Sequence, residues 1–259
     1  MASTPIVFVH GLFMTPLCWE NWLPWFAERG YHAVAPAWPG CDRPPAELRA
    51  AHPDPALARL TLADVIVRVE TEVQALGGRT VVVGHGIGGV VAQILVNRGV
   101  VSAGVAIHSA SLGGDFPAKR PVRPLAPGLF GRGADPSAPK ALNFEEFRSV
   151  FGNVLSPEAQ RAAFDRYVVP GSRRVAGDVR GAAAEIDFAK AHPPLLMTAG
   201  VRDQAVTARV AFDDFSRYRQ HGAITDFRAF DERGHMVVVE PGWEEVADFV
   251  ADWLSRLKP

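Results

Sequence analysis

Residues 80–97 constrain this chain more than any other stretch. Thr80-Val81-Val82-Val83 is a short apolar, β-branched run that passes directly into Gly84-His85-Gly86-Ile87-Gly88-Gly89. A helical pattern follows from Ile87 to about Asn97. A continuous apolar run of this length suits a strand buried on both faces. Glycines at the junction let strand and helix backbones approach closely, and they let one residue sit at a strained dihedral. The sequence therefore predicts strand, sharp turn and helix, packed tightly together.

Other short apolar runs alternate with helical patterns in the same way. Ile6-Val7-Phe8-Val9 ends at His10-Gly11, and Ala33-Val34-Ala35 is a weaker second strand. Thr61 opens a helix with Asp64 as its capping-box partner. Leu62, Val65, Ile66, Val69, Val73 and Leu76 follow at helical spacing until Gly77-Gly78. Strands are expected at Ala103–Ile107, Leu195–Thr198 and Thr225–Phe230, and a last helix from about Gly242 to Leu257. From about Leu112 to His192 prolines cluster, helical patterns return only at 143–151 and 157–168, and no clear strand shows. Strand–helix alternation predicts an α/β fold, a mainly parallel sheet with helices on both faces. Residues 1–111 and 191–259 would form the core, and 112–190 an insertion. In such sheets ligands bind at the carboxyl ends of the strands.

Composition narrows the function. In 259 residues, 27 Lys+Arg face 28 Asp+Glu, so the basic footprint of a nucleic-acid protein is missing. Apolar residues are 48% and charged residues 21%, an ordinary globular balance that excludes disorder as the main state. The segment Met1–Trp19 lacks charged side chains, yet it has no basic start and is broken by Pro5, His10, Gly11 and Pro16. No membrane span is expected, and the expected location is cytoplasmic. Cys18 and Cys41 are too few for a disulfide scaffold or a four-ligand zinc site, and two inert free thiols are the simpler expectation. No metal is expected, and no cofactor. Gly84, Gly86 and Gly89 fit G-x-G-x-x-G, but they follow a later strand and no acidic residue lies between Gly89 and Asp115. Nothing in the sequence speaks to oligomeric state.

The G-x-x-x-G spacing about position 86, between strand and helix, is that of a nucleophile elbow. Asp203 follows a late strand, and His235 lies between the last strand and the last helix. The chain order is elbow, acid, histidine. After the first strand comes His10-Gly11-Leu12-Phe13, where a backbone N–H could pair with that of Ile87 as an oxyanion hole. With these residues the sequence resembles the α/β-hydrolase superfamily, in its single-domain bacterial esterase/lipase-like branch with a helical cap. The resemblance implies that Asp203 orients His235 and that His235 activates the residue at the elbow. It also implies that 112–190 forms the cap. Gly11, Leu12, Phe13 and Ile87 would frame the oxyanion site. Phe13, Trp38 and cap aromatics such as Phe130 would line an apolar pocket for a small hydrophobic ester, lactone or aromatic substrate.

One position departs from that pattern: the elbow serine is replaced by Gly86. Losing a triad nucleophile costs roughly a million-fold in turnover. Three readings stay open. The glycine is an introduced, inactivating substitution. Or it is natural, and the His235–Asp203 dyad acts as a base on water or substrate directly, as in a lyase, cyclase or cofactor-free oxygenase. Or the protein is a non-catalytic small-molecule binder. His108, Ser109 and Ser111 follow a central strand and are expected to face the pocket, where either serine is a replacement nucleophile that sits on no elbow. Asp115 is a reserve acid, His85 a structural histidine, and His10 shapes its loop. Trp19, Trp22 and Trp25, at a helical spacing of three, are packing residues.

Overall fold

The computed structural model describes residues 3–77, 79–112, 135, 138–218 and 222–257. Six strands form one sheet: β1 (Thr4–Val9), β2 (Tyr31–Val34), β3 (Val81–His85), β4 (Ala103–Ile107), β5 (Leu195–Gly200) and β6 (Thr225–Phe230). Their order is β2-β1-β3-β4-β5-β6, and every neighbouring pair is parallel. The chain moves from β1 to one edge and then returns to the other side of β1 as β3. Strand order reverses there, and a reversal opens a crevice at the carboxyl ends of the two strands. The Gly11 loop leaves β1 and the Gly86 turn leaves β3 at this crevice.

Parallel strands need crossovers, and helices supply them. In chain order they are α1 (Trp22–Glu28), α2 (Pro45–Ala50), α3 (Pro55–Arg59), α4 (Leu62–Leu76), α5 (Ile87–Arg98), α6 (Phe144–Glu146), α7 (Pro157–Tyr167), α8 (Arg173–Asp178), α9 (Ala208–Phe215) and α10 (Glu244–Arg256). Side chains alternate across the sheet. Ile6 and Phe8 face one cluster with Trp22 and Phe26 of α1 and Val246, Val250 and Trp253 of α10. Val7 and Val9 face the other, with the α4 and α5 stripes. The two apolar layers explain why β1, β3, β4 and β5 read as mostly apolar runs, whereas the edge strands β2 and β6 carry His32, Asp226 and Arg228.

Local chemistry sets the long helices. The Thr61 side chain accepts from Asp64 N at 3.2 Å, and Asp64 Oδ2 accepts from Thr61 N at 3.0 Å, which is the expected capping box. Gly77, at φ 61°, ends α4. Leu62, Val65, Ile66, Val69 and Val73 are buried on its inner face. Each such burial contributes about 1.5–3 kcal/mol.

Some boundaries moved. β2 is Tyr31–Val34 rather than 33–35, because Thr4 of β1 pairs with Tyr31. The expected helix over 143–151 splits into the single turn α6 and a π-helical turn at Phe147–Phe151, closed by Gly152 N donating to Phe147 O at 2.8 Å. Of the short helices, α1 was marked only by the spacing of Trp22 and Trp25, and α2, α3, α8 and α9 had no periodic signal. At these lengths a helix is held by tertiary packing rather than by its own propensity. Asp115 and Phe130 lie outside the described residues, with most of the proline cluster.

Candidate active site

Gly86 joins β3 to α5 at φ 57°, ψ −117°. This left-handed backbone suits a residue without Cβ. Gly86 N donates to Ile107 O at 3.1 Å, and its carbonyl accepts from Gly89 N at 3.1 Å and Ala110 N at 3.0 Å. The neighbouring glycines are demanded by contact: a Cβ on Gly84 would overlap the Gly88 carbonyl, and one on Gly88 would overlap that of Val9. The turn is therefore locked between β1, β3, β4 and α5.

Three distant stretches meet at this turn. His235 follows β6, and its Nδ1 lies 2.8 Å from Asp203 Oδ2. A carboxylate only accepts, so Nδ1 is the donor, and in the neutral ring Nε2 is left bare. Nε2 points at Gly86: a Cβ placed there would stand 3.5 Å from it and 3.7 Å from Gly11 Cα, in ordinary contact. Asp203 is set by the turn after β5, where Oδ1 accepts from Ala205 N at 2.7 Å and Val206 N at 2.8 Å. Burial alone would raise this carboxyl, but the adjacent His235 and His108 together outweigh it and hold the acid well below the usual carboxylate range.

The surroundings fix His235 from several sides. The Nε2–H of His85 donates to the His235 carbonyl at 2.7 Å, and burial keeps the His85 imidazole neutral. Its role is structural, as its place before the elbow implied. The Phe151 ring stands edge-on at 5.4 Å from the His235 ring. Gly234 N donates to Glu240 Oε1 at 3.2 Å, and burial raises the Glu240 carboxyl to about 7. Sequence patterning gave no signal for Phe151 or Glu240, since one reads as a helix stripe residue and the other as a loop acid.

Across the crevice lies the loop after β1. Gly11 borders the Gly86 turn. Phe13 adopts φ 66°, uncommon outside glycine, and its carbonyl accepts from Val169 N at 3.0 Å. Its ring meets Phe151 edge-to-face at 5.9 Å. Ile87 is the first residue of α5, so its N–H has no intrahelical acceptor. His10 donates from Nδ1 to Gly11 O at 3.0 Å and accepts from Trp38 N at its Nε2 at 3.3 Å. Burial lowers its pKa to about 4, so a neutral ring shapes the loop. Trp38 is buried and stacks on that ring at 4.5 Å.

Other candidates are placed elsewhere. Ser109 Oγ accepts from Gln93 Nε2 at 2.8 Å and donates to Ala110 O at 3.0 Å, while Tyr218 bonds the same Gln93 at 2.9 Å. It is committed to the α5 interface. Ser111 lies beside Asp214. His108, expected to face the pocket, is fully buried, with its Nδ1 3.6 Å from Asp203 Oδ2. Cys18 and Cys41 are free and buried, and burial raises both thiols, Cys41 to about 11.

No curated protein matches the chain in sequence. Among solved structures it is similar to a methylesterase from Arabidopsis, with TM-score 0.67 and 13% identity over 97% of this chain and 99% of that one. It is similar to the monoacylglycerol lipase of Paleococcus ferrophilus, with TM-score 0.70 and 17% identity over 97% and 95%. It is also similar to a pyrethroid hydrolase from Sphingobium faniae, with TM-score 0.69 and 16% identity over 97% of each. At these identities the likeness is one of fold. The model of the alpha/beta hydrolase family matches residues 6–249, and the chain belongs to that family.

Proposed function

We propose that this is a site of the carboxylic-ester hydrolase type in which Gly86 holds the nucleophile's place. The observation that carries this reading is the bare Nε2 of His235, 3.5 Å from where a Cβ on residue 86 would stand. A hydroxyl one bond beyond that carbon comes within the about 2.6–3.2 Å that a nucleophile–base pair needs. His235 is then the general base and Asp203 its orienter. The N–H groups of Ile87 and of Leu12 or Phe13 receive the developing oxyanion, each such donor being worth about 10²–10³ in rate. With serine at 86, Oγ bonds to the acyl carbon while its proton passes to His235 Nε2. The imidazolium returns that proton to the departing alkoxide, and water repeats the sequence to release the acid.

The segment 112–190 acts as the cap. The apolar edges of Phe13, Leu12 and Phe151 favour a small hydrophobic ester or lactone, with Trp38 backing the loop through His10. No cofactor enters the reaction. Among the described residues no helix is long and apolar enough to cross a membrane. The test is covalent capture. Gly86→Ser should take up one organophosphonate per chain, seen as a mass increase, whereas the Gly86 chain should take up none. A Ser variant that folds and stays unlabelled removes the proposal.

A second reading rests on the same bare nitrogen. With no side chain at residue 86, His235 can act directly on water or on a substrate C–H. Activity of the Gly86 chain that disappears in His235→Ala would favour it over ester hydrolysis through a covalent intermediate.

A further inference from the structure

We propose that His108 is a positioning residue that shares Asp203 with His235 and thereby sets how strongly the His235 ring holds a proton. The inference deepens the reading above, since it rests on His235 being the base of the site.

Four observations support it. His108 is fully buried, and neither ring nitrogen has a hydrogen-bond partner within normal distance. A buried polar group left without a partner costs about 1–3 kcal/mol, so such groups need an explanation. Its Nδ1 stands 3.6 Å from Asp203 Oδ2, the same oxygen that accepts from His235 at 2.8 Å. Asp203 Oδ1 is already occupied by two backbone N–H groups, so Oδ2 is the oxygen that remains for both imidazoles. The ring cannot easily withdraw. His108 sits at φ 44°, its N–H donates to Thr198 O at 3.0 Å, and a Cβ on Gly200 would come within 2.8 Å of its Cε1.

The electrostatic consequence has a definite sign. Burial keeps His108 neutral. A neutral imidazole with Nδ1–H aimed at the carboxylate absorbs part of its charge. His235 therefore feels a weaker anion than Asp203 alone would present. The other groups around His235 are its ring neighbour His85 at 4.8 Å, and Glu240 with Arg233 behind Gly234. Arg233 is itself paired with Glu245 at 2.7 Å. His108 itself also faces the Gly234 backbone, and replacing it removes none of these other groups.

The experiment follows the His235 ring by imidazole NMR across pH in the chain as it stands, with Gly86 in place. His108→Leu, which removes the donor, should raise the pH at which His235 titrates by about one unit, a tenfold gain in proton affinity. His108→Asn keeps a donor and tolerates the left-handed backbone, so it should titrate like the parent. If the Leu variant does not fold, His108→Phe, nearer in shape, carries the same expectation. A donor-free variant that titrates with the parent overturns the proposal, and so does an Asn variant that shifts as far as the donor-free one. No ester is turned over in this measurement, so it stands or falls separately from the Gly86→Ser test.

Discussion

Gly86→Ser tests the site most directly, because stability and activity should move in opposite directions. The added Cβ meets only His235 Nε2 at 3.5 Å, Gly11 Cα at 3.7 Å and His235 Cε1 at 3.9 Å, so no neighbour must shift. The remaining cost is backbone strain at φ +57°, of the order of 1–3 kcal/mol for a residue with a Cβ. In a chain of this length each kcal/mol lowers Tm by about 2–4 °C, which gives a fall of roughly 2–12 °C. Activity should rise. A triad nucleophile is worth up to about a million-fold in kcat, so p-nitrophenyl ester hydrolysis should increase at least about a thousand-fold. Gly86→Ala carries the same strain without the hydroxyl. It should melt with the Ser variant and hydrolyse nothing. The reasoning fails if the Ser variant is folded, melts lower as expected and is still no faster than the Ala variant. It also fails if Tm rises, since the elbow would then not be the strained conformation described.

Three further outcomes follow. In the Ser background, Asp203→Asn should cut kcat by about 10⁴, because an amide no longer enforces the tautomer with Nε2 bare, and steady-state ester kinetics read this. Glu240→Gln should change the pH dependence of stability. The folded carboxyl titrates near 7 against 4.5 for the ordinary group, so the parent loses up to about 3 kcal/mol as pH rises from about 4.5 to above 7. The Gln variant should lack that loss in denaturant titrations at pH 5 and pH 8, and equal slopes in parent and variant would contradict it. Gly88→Ala should yield little folded protein by size-exclusion chromatography, since its Cβ would occupy the Val9 carbonyl.

Several elements were legible because their causes are local. Ala103–Ile107 and Thr225–Phe230 form as expected, the first as a short apolar run and the second as an alternation of Phe227 and Ala229 with Asp226 and Arg228, and each needs only its own residues to declare itself. The capping box at Thr61 and Asp64 involves two side chains three positions apart. The pairing of Gly86, Asp203 and His235 was expected from motif order, and the three do converge. The short helices were not expected, nor was the π-turn that sets Phe151 against His235, because both are stabilised by contacts with remote chain.

Residue order alone carries the strand–turn–helix unit at residues 80–97, the alternation that marks a parallel α/β class, and the missing side chain at position 86. The first and last depend on neighbours within a few positions, and the class on how such local units alternate along the chain. Long-range packing alone aims Nε2 of His235 at Gly86, bends Phe13 to φ 66°, and brings a second imidazole, that of His108, to 3.6 Å from the Asp203 oxygen that His235 bonds. Those facts arise where β1, β3, β4 and β5 end side by side. Register across a sheet places such ends together, and no local pattern in a single chain records it.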